Sequence, residues 1–336
     1  MALDDYLASE IVLDCADGLF SRREGLRRLM LLGLTAPAAA ALLAACGSDD
    51  GAAPADSAAA TQSSVGTATP TATDTPVTTE AGTTSPSNQS VSSEAGSTPP
   101  SDSVSDGAIP ATEEIRFTGP RGELIGVVST AADPKGAVLV IHENRGLTAH
   151  IRTIPPRLAA DGYNALAIDL LSEEGGTASM PTEGDATAAL SNAPAERMIA
   201  DLRAGLDELA KRTPGAKLAV IGFCFGGGMT WQLLAAGEPR LSAAVPFYGP
   251  APADADFSGS PNAAVLGIYA ELDSRVNGSQ DAARAALEEA GLVHEIKVFP
   301  GVDHAFFNDT GARYNPEQAA AAYQAMIDWF DQHLAS

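Results

Sequence analysis

The chain has 336 residues, 43 acidic against 20 basic side chains for a net charge of −23, three cysteines and 5% aromatic residues. That length admits one large domain or two small ones, with enough material for a sizeable core. The acidic balance argues against a nucleic-acid partner, because phosphate binding needs clustered Lys and Arg, and three cysteines exclude a disulfide scaffold.

Residues 21 to 46 read SRREGLRRLMLLGLTAPAAAALLAAC. Four arginines, Arg22, Arg23, Arg27 and Arg28, precede an apolar run that starts at Leu29 and ends in small residues before Cys46. Basic, then apolar, then small is the layout of a cleaved secretory signal. The Ser21-Arg22-Arg23 start resembles a twin-arginine export motif, with Gly25 where such signals usually carry Phe. Leu43-Ala44-Ala45-Cys46 reads as a bacterial lipobox. Residues 1–46 are therefore expected to be an export signal, with Cys46 lipidated as an anchor to a bacterial membrane. The rival is an uncleaved span, but Leu29 to Ala45 is 17 residues containing Gly33 and Pro37, at the short end of a membrane crossing. Residues 1 to 20 make an unusually long leader for such a signal.

From Gly47 to Pro110 the chain is 64 residues, of which 48 are Ser, Thr, Pro, Ala or Gly; none is Lys, Arg or aromatic, and eight are acidic. Such a segment buries too little apolar surface to offset the entropy of ordering its backbone, so residues 47–112 are expected to be a disordered tether. Its root-mean-square reach would be about 40 to 50 Å. A glycosylated stalk is the competing reading of the same bias.

From residue 113 to 336 short apolar runs alternate with helical patterns. AVLVIH (137 to 142), ALAIDL (165 to 170), KLAVIGF (217 to 223), SAAVPFY (242 to 248), AVLGIYA (264 to 270) and HEIKVF (294 to 299) read as strands. Most are continuously apolar, as a parallel sheet buried on both faces requires. Helical patterns lie near 151–161, 195–212, 226–236, 279–290 and 317–333. The alternation predicts an α/β domain with a doubly wound, mainly parallel sheet, whose reactive groups collect at the strands' C-terminal ends.

Three of those ends carry chemistry. After KLAVI comes Gly222-Phe223-Cys224-Phe225-Gly226-Gly227-Gly228 and a helical run, the strand, turn and helix of a nucleophile elbow with Cys where Ser is commoner. The glycines let strand and helix approach, and a helix N-terminus beside the sulfur favours the thiolate. No Lys-Ser/Thr follows them and no G-x-G-x-x-G is present, so the nucleotide-loop readings fail. Asp273 follows the next strand but one, and Asp303-His304 follows the last. Nucleophile, acid and histidine at successive strand ends is the chain order of α/β-hydrolase triads. Asp303 is a competing acid, but its place beside His304 suits a turn former.

These motifs, GFCFGGG around Cys224, the Asp273 loop and PGVDHAF around His304, resemble the dienelactone hydrolase family of α/β-hydrolases over residues 113–336. The resemblance implies an α/β-hydrolase fold and a Cys224-His304-Asp273 triad. It also implies an oxyanion hole from the backbone N–H groups of Asn144 and Phe225, and a Glu143 that hydrogen-bonds the resting thiol. It departs at one place: the arginine that family members carry four residues beyond the histidine is Asn308 here, leaving Arg145 and Arg313 as substitutes. The implied reaction is hydrolysis of a small-molecule ester or lactone through a thioester, with peptides disfavoured because a thiolate leaves easily. A general carboxylesterase or thioesterase and a catalytically idle surface-binding domain are the alternatives.

No cofactor is called for, and His142-Glu143 lacks the second His of a zinc H-E-x-x-H site, so no metal is either. Tyr248 and Tyr269 end strands on the reactive edge, and Tyr248 is a candidate substrate contact. Trp231 and Phe225 flank the elbow and suit either an acyl pocket or the core. His142, His150, His294 and His333 have no partner that the sequence names. Of the three cysteines, Cys15 leaves with the expected signal and Cys46 carries lipid, so Cys224 stays as the one thiol of the expected mature domain, without a resolving partner for redox chemistry.

Overall fold

Apolar runs that are buried on both faces need helices above and below the sheet, and the computed structural model has that arrangement. It describes residues 3–16, 20–44 and 110–334, so Cys46 and the tether up to residue 109 lie outside the described residues. The chain begins with α1 (Leu3–Ala16), α2 (Arg22–Leu31) and α3 (Ala36–Ala44). The sheet then starts with β1 (Thr112–Thr118), β2 (Glu123–Ser129) and β3 (Gly136–Ile141), followed by α4 (Ala149–Arg152), α5 (Ile154–Ala160), β4 (Tyr163–Asp169), α6 (Glu183–Asn192) and α7 (Ala195–Arg212). The second half runs β5 (Leu218–Phe223), α8 (Phe225–Ala235), β6 (Leu241–Phe247), β7 (Ala264–Ala270), α9 (Ser274–Asn277), α10 (Gln280–Glu289), β8 (His294–Phe299) and α11 (Pro316–His333).

The eight strands lie in the order β1-β2-β4-β3-β5-β6-β7-β8. β3 through β8 pair in parallel, and β1 and β2 add an antiparallel end through β4. The expected strands are all present within two residues of their predicted ends. β1, β2 and α6 were not among the expected elements. β1 alternates, with Ile115 and Phe117 inward and charged neighbours outward, as suits an edge. β3, β4, β5 and β7 are buried along their whole length, whereas β8, the other edge, is largely exposed. Trp231 is fully buried against Phe257, and Trp329, Phe330 and Met326 of α11 close the core on the opposite side, as an apolar stripe at helical spacing would.

Residues 3–16 and 20–44 belong to the same compact unit as the sheet. Ser21 caps α2, its Oγ accepting from the Glu24 N–H at 3.3 Å, and the neighbouring Arg22 donates to the Leu43 carbonyl at 2.8 Å. Gly33, at φ +86°, turns the chain between α2 and α3, so the apolar run from Leu29 is divided into helices of 10 and 9 residues. Among the described residues no helix is long and apolar enough to cross a membrane. Arg27 reaches Asp185 of α6 at 3.3 Å, and Leu7 is fully buried within the domain's own core. The segment that the sequence sets apart as a signal is thus docked on the α/β domain.

Candidate active site

The turn between β5 and α8 explains its glycines. Cys224 sits at φ +56° and ψ −116°, a strained conformation for a residue with a Cβ. A Cβ on Gly222 would lie 2.0 Å from the Gly226 carbonyl oxygen, and one on Gly226 would lie 2.4 Å from that of Ile141. Only glycine lets α8 start against the ends of β5 and β3, and that start puts the sulfur at the helix N-terminus.

Asp273 caps the short α9 after β7: its Oδ1 accepts from the Val276 N–H at 3.1 Å. Its Oδ2 lies 2.6 Å from His304 Nδ1, and both side chains are buried. Asp303 instead accepts from the backbone N–H of His304 at 2.7 Å, shaping the turn that presents the ring. The reactive atoms of Cys224 and His304 lie within 4.8 Å of each other. The sequence-derived trio is therefore brought together from three strand ends. Burial opposes charge on His304, but the neighbouring Cys224 sulfur and the Asp273 carboxylate outweigh it and raise its pKa to about 9.

That shift has a consequence for stability. A folded value near 9 above an unfolded value near 6.5 means that the contribution of His304 is complete below pH 6.5 and is lost as pH rises through 9. The thermal midpoint should fall between those pH values, and Asp273→Asn should flatten the fall. Parallel melting curves across that window would reject the ion-pair account if the two proteins declined equally.

The expected contact between Glu143 and the thiol is taken by another residue. Cys224 Sγ donates to Glu10 Oε2 of α1 at 3.8 Å. Glu143 accepts from Asn308 Nδ2 at 2.7 Å through Oε2, and its buried Oε1 has no hydrogen-bond partner among the described residues. Burial raises the Glu143 pKa, with His150, Arg145 and His304 opposing. Asn308 is thus turned onto Glu143, at the position where the family resemblance implies an arginine. Phe225 directly follows Cys224 and Asn144 lies just beyond β3, and the backbone N–H of neither donates to a carbonyl among the described residues.

A cavity of about 190 Å³ reaches the sulfur, lined by Glu143, Arg145, Cys224, His304, Asn308 and Arg313 among others. Arg145 pairs with Glu183 at 3.2 Å and Asp14 at 3.5 Å; Arg313 pairs with Asp14 and donates to the His304 carbonyl at 3.4 Å. Tyr248 is not in this lining. It lies behind His304, ring centroids 5.1 Å apart, fully buried at φ +36°, its hydroxyl without a hydrogen-bond partner among the described residues and its pKa raised by burial. Trp231 and Phe225 are core, the former donating to the Gly249 carbonyl and the latter stacked on His142. His142 bridges the Glu143 carbonyl and the Leu170 N–H, and His150 pairs with Asp309. Both are structural.

Glu10, Asp14 and Arg275 are the site residues that sequence reasoning missed. Glu10 and Asp14 are four apart on α1, a spacing that stacks acids on one helix face, but nothing local says what that face meets. Glu10, Cys224 and His304 would offer a metal ion three ligand atoms within 4.8 Å. Two of the three belong to the candidate triad, and Arg275 already pairs with the third.

The family model that matches residues 124–334 is described as the Dienelactone hydrolase family. A relative from Escherichia coli O157:H7, named "Putative carboxymethylenebutenolidase", is 36% identical over 215 residues, covering 60% of this chain and 78% of that protein. One of the same name from Saccharolobus solfataricus is 28% identical over 246 residues, 63% of this chain and 95% of that one. A crystal structure from Klebsiella pneumoniae, described as a "Putative Dienelactone Hydrolase", superposes with a TM-score of 0.59 at 30% identity, covering 66% of this chain and 98% of that one.

Proposed function

Because the chain belongs to the dienelactone hydrolase family and is a hydrolase of ester or lactone bonds, we propose that it works through a Cys224-His304-Asp273 triad and a thioester intermediate. The observation that carries the reading is the 2.6 Å contact between Asp273 and His304 beside a cysteine held in an elbow turn. Asp273 fixes the tautomer of His304, which takes the thiol proton as sulfur attacks the carbonyl. The Asn144 and Phe225 N–H groups receive the oxyanion, each worth about 3 to 4 kcal/mol. His304 returns its proton to the leaving alkoxide or enolate and then activates the water that cleaves the thioester.

The substrate class that suits this site is an enol-ester lactone or aryl ester, with Arg145 and Arg313 at the rim to receive a carboxylate. The pairing of Asn308 with Glu143 favours a second reading, neutral esters, because no guanidinium stands at Asn308. Acid quenching during turnover of a slow aryl ester should trap an acyl group on the Cys224 peptide, detected by mass spectrometry. Turnover with no such adduct under any quench would remove the thioester pathway. The ratio of kcat/KM for a carboxylate-bearing enol lactone to that for a neutral aryl ester then separates the two substrate readings.

The order of segments supports an exported lipoprotein: a signal of residues 1–46, lipid on Cys46, and a tether of residues 47–112 holding the catalytic domain of residues 113–336 off a bacterial membrane.

A further inference from the structure

The acid nearest the sulfur does not come from the α/β domain. Glu10 of α1 is 3% exposed; its Oε1 pairs with Arg275, and its Oε2 faces Cys224 Sγ at 3.8 Å and His304 Nε2 at 3.3 Å. One turn on, Asp14 pairs with Arg313 and, at 3.5 Å, with Arg145. One turn back, Leu7 is buried in the domain core. Positions 7, 10 and 14 form one helix face, so a single docked face delivers an apolar anchor and two carboxylates. Burying a carboxylate is costly unless it is paired, and three guanidiniums, Arg275 from α9 and Arg145 and Arg313 from two loops, supply the pairing. With α1 in place the remaining cavity of about 190 Å³ is smaller than ligand pockets usually are, roughly 300 Å³ upward.

We infer that the mouth of this active site is a binding surface for an acidic helix and that its occupant is α1, an intramolecular inhibitor whose Glu10 carboxylate stands where the substrate's reacting group must go. The inference rests on Cys224 being the nucleophile, but it is measured separately. A carboxylate in that place accepts the thiol's hydrogen bond and occupies the space that the carbonyl carbon must reach. Arg275, Arg313 and Arg145 are the residues that select an acidic occupant. Cleavage before Cys46 would carry α1 away and leave those guanidiniums facing the substrate path.

The test uses the full chain, the Glu10→Gln/Asp14→Asn variant and the Leu7→Asp variant, the last expelling the helix even if the amides still dock. Iodoacetamide labelling of Cys224 is followed by mass spectrometry on its own peptide, apart from Cys15 and Cys46, and aryl-ester turnover is measured alongside. Both rates should rise about tenfold or more in both variants, one losing charge-assisted contacts and the other the buried anchor of the helix. A synthetic peptide of residues 1–20 should restore protection in the Leu7→Asp chain. Labelling of Cys224 equally fast in the unaltered chain and both variants would overturn the inference. Faster labelling without turnover in any chain would uphold the plug and count instead against the nucleophile.

Discussion

Replacing Cys224 by alanine in the Glu10→Gln/Asp14→Asn background should lower kcat/KM for an aryl ester on the order of 10⁴-fold while leaving the thermal midpoint nearly unchanged. The size follows from how such constellations behave: removing the nucleophile removes the covalent path and leaves only binding and oxyanion stabilisation. The fold should tolerate the change, since alanine keeps the Cβ that the elbow already accommodates at φ +56°. Cys224→Ser is the informative companion. It keeps the shape, yet His304, with its pKa raised to about 9, is a base matched to a thiol and must now deprotonate a far weaker acid. Turnover should survive in the serine variant at a reduced rate with a stronger pH dependence. Steady-state kinetics on the three proteins decide the matter, and an alanine variant retaining more than a tenth of the activity would dismiss Cys224 as nucleophile.

Gly226→Ala should cost about 3 kcal/mol or more, because the added methyl has no rotamer with which to escape. Its Cβ would stand 2.4 Å from the Ile141 oxygen and 2.6 Å from the His142 oxygen, both backbone atoms at the end of β3. Relief requires α8 to move off the sheet, which also displaces Glu143 and Asn144 just beyond. For a unit of this size the midpoint should drop by about 6 to 12 °C, and activity should fall with it. Gly228→Ala is the control on the same helix: its nearest neighbour is Pro250 Cδ at 3.7 Å, so the methyl fits. A better helix former there should be neutral or stabilising by up to about 1 kcal/mol. Equal melting temperatures for the two alanine variants would mean that the close approach at Gly226 is not a constraint.

Much of this architecture was legible because burial on both faces writes itself into sequence as unbroken apolar runs. AVLGIYA and HEIKVF match β7 and β8 to the residue. β1 escaped because an edge strand needs only alternate apolar positions, and EIRF offers two; β2, ELIGVVS, is buried almost throughout, but its short apolar run is interrupted by Gly126. α6 escaped because EGDATAALSN is short, with Gly near its start and no strong apolar stripe. The order of Cys224, Asp273 and His304 was readable since each ends a readable strand. The thiol's partner was not: Glu10 and Cys224 are 214 residues apart, and such a contact leaves no periodicity in either segment. Nor could Asn308 announce that it binds Glu143, 165 residues away. Family resemblance supplied Glu143 as an acid near the sulfur but could not supply α1, which lies outside the matched residues 124–334.

The contact between α1 and the sulfur has a kinetic corollary. A blocking group carried on the same polypeptide is present at an effective concentration set by the connecting chain, not by how much protein a cell makes. Even a weak helix–domain affinity then suffices to keep the site filled, and dilution gives no relief. Cutting the connection converts the block into a bimolecular encounter, which at ordinary protein levels fails. For this enzyme, then, the variable that sets activity would be the number of chains severed rather than the number of chains made.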